Sequence, residues 1–131
     1  MTSIKVIQAS EFVHAAPDGR ADLARAKKLL QAIVDAGDGI EGFHVLLDIR
    51  RVARGTRLTP VELWQLADEL VHYRKTFAHK TAILCPPERF GGSAFFALVA
   101  QNKGFNVQAF TDYEDAMAWL LDGEGVSISL D

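Results

Sequence analysis

The chain has 131 residues, a single cysteine and a formal net charge of −3, from 14 Lys and Arg against 17 Asp and Glu. That length fits one domain covering 1–131, and 49% hydrophobic against 24% charged residues is too apolar a balance for a disordered chain. The acidic charge argues against broad nucleic-acid binding, no apolar run reaches the ~18 residues of a membrane span, and one cysteine forms neither an internal disulfide nor a multi-cysteine metal site.

Met1-Thr2-Ser3-Ile4-Lys5 lacks the apolar stretch of a signal peptide, so a reducing, cytoplasmic address is expected. Ile4-Lys5-Val6-Ile7-Gln8 and Glu11-Phe12-Val13-His14-Ala15 read as two short strands of a hairpin, followed by the turn signal Pro17-Asp18-Gly19. Leu23, Ala26, Leu30, Ile33 and Val34 then form one helical stripe, and Gly37 stands just past it, where a left-handed cap is expected. Phe43-His44-Val45-Leu46-Leu47-Asp48-Ile49 has the near-continuous apolarity of a strand covered on both faces.

Thr59-Pro60-Val61-Glu62 predicts a capping box with proline at the first helical position. Its helix carries Leu63, Leu66, Ala67, Leu70 and Phe77 on one face, with Trp64 and Val71 beside it. Thr81-Ala82-Ile83-Leu84-Cys85 is a second buried-type strand, ended by Pro86-Pro87. Gly91-Gly92-Ser93 opens a helix that is apolar nearly all round, closed by Gly104. Residues 105–110 form another strand, and Thr111 with Glu114 predicts a second capping box for a helix through Ala116, Trp119, Leu120 and Leu121. The tail Val126-Ser127-Ile128-Ser129-Leu130 alternates as an edge strand does, within the chain or against a partner. The order ββαβαβαβα predicts an α/β fold: a mixed sheet, hairpin first and parallel βαβ units after, flanked by about four helices.

Gly37-Asp38-Gly39-Ile40-Glu41-Gly42 matches the dinucleotide-binding spacing, but a helix precedes it and a strand follows, the reverse of what that site needs. It reads as a turn. Phe90-Gly91-Gly92-Ser93 offers backbone N–H groups to an anion without the lysine of a P-loop. The most distinctive segment runs from Asp48 through Arg50, Arg51, Arg54 and Arg57. It leaves the carboxyl end of a buried strand, where open α/β sheets place ligands, and arginine forks match carboxylates and phosphates. The alternative is a solvated loop paired with neighbouring acids.

Asp48 is suited to capping that loop by accepting backbone hydrogen bonds. Cys85 holds the matching position on the next strand, as a small hydrophobe or a nucleophile. His14, His44, His72 and His79 show no metal-ligand spacing, and neither a cofactor motif nor a nucleophile elbow is present in the sequence. Val61, Trp64, Val71, Phe95 and Phe96 widen the apolar helix faces, as lining of a pocket, a homodimer interface or a thick core.

Three stretches carry a family resemblance: residues 44–50, residues 80–86, and residues 102–120, the last reading Asn102-Lys103-Gly104-Phe105-Asn106-Val107 onward. Together they resemble the SpoIIAA-like branch of STAS domains (sulphate transporter and anti-sigma-factor antagonist). The resemblance implies a small mixed sheet flanked by helices and a binding or regulatory module. Classical antagonists carry a phosphorylatable Ser in an Asp-Ser-Ser-Gly-like stretch after the Asp-ended strand. Here that region reads Thr56-Arg57-Leu58-Thr59-Pro60 without a serine, leaving Thr59 as the nearest hydroxyl for phosphorylation. A related comparison, to CRAL-TRIO-like lipid-binding domains, implies a small apolar ligand.

The expectation is a non-catalytic regulatory or ligand-binding module that takes a small anionic or amphipathic ligand or an acidic protein partner. Its working residues are expected to be Asp48, Arg50, Arg51, Arg54, Arg57, Cys85, Phe90, Gly91 and Gly92. The alternatives are a small enzyme using Cys85 or Asp48, and a homodimeric interaction domain.

Overall fold

The computed structural model describes residues 3–7, 12–40 and 43–122; the tail segment 126–130 lies outside them. The elements are β1 (Ser3–Ile7), β2 (Phe12–Ala16), α1 (Leu23–Ala36), β3 (His44–Asp48), α2 (Pro60–Leu70), β4 (Lys80–Leu84), α3 (Phe90–Asn102), β5 (Asn106–Phe110) and α4 (Tyr113–Leu121). They follow the order expected from the sequence.

The strands form one sheet in the order β1-β2-β3-β4-β5. β1 pairs antiparallel with β2, and each later strand lies parallel beside its predecessor. Crossovers between parallel strands are right-handed. Because the strand order never reverses, that handedness puts α1, α2 and α3 on the same face of the sheet. There they bury Val13, Val45, Ile83 and Val107 beneath Leu30, Ile33, Leu70 and Phe96. α4 follows β5 without a further crossover and takes the opposite face, packing Ala116 and Leu120 on Phe12, Leu46, Ala82 and Leu84. Alternate side chains of β3 therefore serve different cores, which is why its sequence is apolar almost throughout. Leu46, Leu84 and Leu120 are fully buried, each contributing about 1.5–3 kcal/mol of hydrophobic stabilisation.

The helix starts follow local chemistry. Thr59 Oγ1 accepts from Glu62 N at 3.1 Å and Glu62 Oε1 accepts from Thr59 N at 2.9 Å, so the predicted capping box is present, with Pro60 at the first helical position. Asp22 caps α1 through Arg25 N at 2.8 Å.

Three local expectations are corrected. Gly37 has φ −89°, not a left-handed value; a Cβ there would overlap Cζ and Cε2 of Phe43, so close packing rather than backbone handedness requires glycine. α2 ends at Leu70 and passes into a short 3-10 turn, so Phe77 lies beyond the helix, yet it is buried in the same core. The α4 cap is Asp112, accepting from Asp115 N at 3.1 Å, one residue after the expected Thr111. A carboxylate serves there as well as a hydroxyl.

Candidate functional site

Between the sheet and the α1–α3 layer the packing leaves a cavity of about 570 Å³. Its deep wall is built from Leu30, Ile33, Val45, Leu70, Phe77 and Ile83, all buried core side chains. That volume lies inside the ~300–1,000 Å³ range of small-molecule sites. At ~30 Å³ for each water-sized group, it holds on the order of 20 non-hydrogen atoms.

The rim lies at the carboxyl ends of β2, β3 and β4, where the connections to α1, α2 and α3 begin. These connections are laced together. Ala53 N donates to Gly19 O at 2.6 Å, Ala21 N donates to Thr56 Oγ1 at 2.8 Å, and Thr56 Oγ1 donates to Ala53 O at 2.9 Å. Arg89 reaches across from the third connection, its Nη2 donating to Ala53 O and Thr56 O at 2.5 Å each. Gly19 has φ +79°, a conformation that side-chain-bearing residues rarely adopt.

Arg20, Arg25, Arg57 and Arg89 stand on this rim with Asp18, Asp22 and Glu88. Asp22 is committed to the α1 cap, and Glu88 faces Arg54 at 3.9 Å. Among the described residues Arg20, Arg25 and Arg57 enter no ion pair. Three helix N-termini point to the same end of the molecule and add to its positive potential. An apolar chamber with unpaired guanidinium groups at its opening suits an amphipathic anion.

The expected site residues divide between two faces of the sheet. Arg57, Gly91 and Gly92 line the cavity, and Arg54 borders a shallow cleft beside Arg57, Glu88 and Arg89. Arg51 is exposed on the same loop, and Phe90 is exposed at the start of α3. Thr59 lies on the loop side of α2, its hydroxyl held by the capping box.

Asp48 and Arg50 turn to the other face, because Asp48 shares its side of the pleat with Leu46. There Asp48 Oδ1 accepts from Arg50 N at 3.1 Å and from Nε at 2.9 Å, while Oδ2 accepts from Nη2 at 2.8 Å. Burial raises the Asp48 pKa, but the Arg50 hydrogen bonds and the charges of Arg50 and His14 outweigh it and hold the carboxyl below its ordinary value. His14 Nε2 lies 3.9 Å from Asp48 Oδ2, too far for a hydrogen bond. Asp48 thus caps its own turn, and its fork occupies the Arg50 guanidinium.

Cys85 is fully buried, its Sγ donating to Phe110 O at 3.4 Å. Burial pushes its thiol pKa up, against a hydrogen bond with Ser93 that works the other way. A thiol in this setting is a poor nucleophile. Trp64 is half exposed on α2, with the Lys103 ammonium 4.9 Å above its ring.

Among the described residues no group of three or more His, Cys, Asp or Glu is placed to hold a metal, and no helix is long and apolar enough to cross a membrane.

Arg20, Arg25 and Arg89 are rim residues that the sequence pattern did not single out. Arg89 carried a signal: it directly precedes Phe90-Gly91-Gly92, in a connection that leaves a parallel strand at its carboxyl end. Arg20 and Arg25 flank the α1 cap and read as ordinary surface charge.

The fold is SpoIIAA-like. A solved structure from Shewanella loihica PV-4, an uncharacterised protein of the DUF3478 family with a SpoIIAA-like fold, superposes with a TM-score of 0.59 over 92% of each chain. Sequence identity is 18%, so the likeness speaks for the fold. No family model and no curated protein matches the sequence.

Proposed function

We propose that the protein is a non-catalytic binding module of STAS type that holds a small amphipathic anion. Its apolar body fills the cavity and its anionic head lies at the rim, against Arg25 and Arg57. The observation that carries this reading is the pairing of an apolar chamber of about 570 Å³ with arginines that have no carboxylate partner among the described residues. Burying an alkyl body contributes ~0.8 kcal/mol per methylene, and a charge-assisted contact to the head adds about 1.5–3 kcal/mol. The apolar term sets affinity and the arginines set the sign of charge accepted. The buried Cys85 and the already paired Asp48 support binding rather than catalysis.

Calorimetric titration below the micellar range with decanoate, decanol and decyltrimethylammonium tests the proposal. Decanoate is expected to bind most tightly and the cation least. Joint replacement Arg25→Ala and Arg57→Ala is expected to weaken decanoate about tenfold or more while leaving decanol unchanged. Equal binding of the three probes, or none, refutes the reading.

A further inference from the structure

Below the rim, two buried hydroxyls interrupt the apolar wall. Ser93 is one, beside the Cys85 thiol, whose pKa it lowers. Thr81 is the other. It stands near the start of β4 on the cavity face, in register with Val45 of β3 and Val107 of β5, so a Val–Thr–Val row crosses the deep end of the chamber. The residue is only 6% exposed, and its hydroxyl enters no hydrogen bond among the described residues. The polar side-chain atom sealed without a partner among those residues is His14 Nε2, not Thr81 Oγ1. The Thr81 oxygen therefore keeps open space beside it, and on its face of the sheet that space is the cavity.

Valine would have the same shape and leave nothing unpaired, and an unpartnered buried hydroxyl is destabilising. Thr81 stands three positions before the end of β4 at Leu84, roughly 10 Å of strand. The two polar features thus lie at opposite ends of one apolar chamber.

We infer that the ligand is doubly functional: an anionic head at the rim arginines, an apolar body, and a hydroxyl or carbonyl at its far end that hydrogen-bonds Thr81. Thr81 is then the residue that selects the buried terminus. The inference rests on the amphiphile reading of the cavity and adds the polarity of the inner end.

The test is a titration of the full chain, as wild type, Thr81→Val and Thr81→Ser, with decanoate and its ω-hydroxy counterpart. The wild type and Thr81→Ser are expected to prefer the ω-hydroxy chain by roughly three- to tenfold, one hydrogen bond's worth. Thr81→Val is expected to lose that preference and to bind decanoate at least as well. Decanoate binding without preference in the wild type, or a preference that survives Thr81→Val, overturns this inference and leaves the amphiphile reading standing. Failure of both chains to bind overturns both.

Discussion

Replacing Gly37 by alanine isolates a steric requirement from a conformational one. Gly37 follows α1 with φ −89° and ψ 2°, angles open to alanine. On backbone grounds alone, Gly37→Ala would stabilise by about 0.4–1 kcal/mol through the unfolded chain. The Phe43 ring reverses the sign: the new methyl would fall on Cζ and Cε2 and lie 3.1 Å from Cε1. Phe43 is 5% exposed, so it has little room to retreat. Overpacking of this kind costs about 1–3 kcal/mol, giving a net loss of about 1–2 kcal/mol and a melting temperature lower by roughly 3–8 °C. In a Phe43→Leu background the same alanine is expected to be neutral or mildly stabilising. The assay is urea unfolding of the four proteins of this cycle, read at constant m-value. An identical cost for Gly37→Ala in both backgrounds refutes the reasoning.

Two further outcomes are expected. Because the folded Asp48 carboxyl is held below its ordinary value, its contribution is complete above about pH 4 and is lost as pH falls through the lowered value. Asp48→Asn is therefore expected to cost about 1–2 kcal/mol at neutral pH, discounted for the half-exposed Arg50, and a gap between wild type and variant that stays constant into strong acid contradicts this. Cys85 is expected to alkylate far more slowly in the folded protein than in urea, since it is buried and its thiol pKa is raised; native reactivity equal to that of a free thiol would show it to be accessible.

The elements were legible because each depends on near neighbours. The Thr59/Glu62 box, Pro60 and the unbroken apolarity of residues 44–47 are written within a few positions. Gly37 misled because its constraint comes from Phe43, six residues away in the chain, rather than from its own backbone. Asp112 won the α4 cap over Thr111 by one position, a choice between two competent side chains. The arginine run lies on one loop, but the pleat divides it: Asp48 draws Arg50 to the far face, while Arg57 stays at the cavity with Arg20, Arg25 and Arg89 from other connections. The cavity was legible only in part. Of the side chains whose apolar breadth suggested a pocket lining, Phe95 and Phe96 line it and Val61, Trp64 and Val71 do not; the deep wall reads as core, and a void between three helices and a sheet has no signature in any one of its residues.

The unreversed strand order also has a consequence for the sequence of assembly. Every parallel strand lays down beside the strand made just before it, so a chain emerging N-terminus first finds each docking edge already in place. Each parallel pairing nevertheless closes over 26, 32 or 36 residues, and non-local pairing of that kind slows folding. The chamber matures later than the sheet's first half, because α3 supplies Phe95 and Phe96 and β5 supplies Val107 to its wall. A chain that stops before residue 90 lacks the part of the wall that Gly91, Gly92, Phe95, Phe96 and Val107 supply.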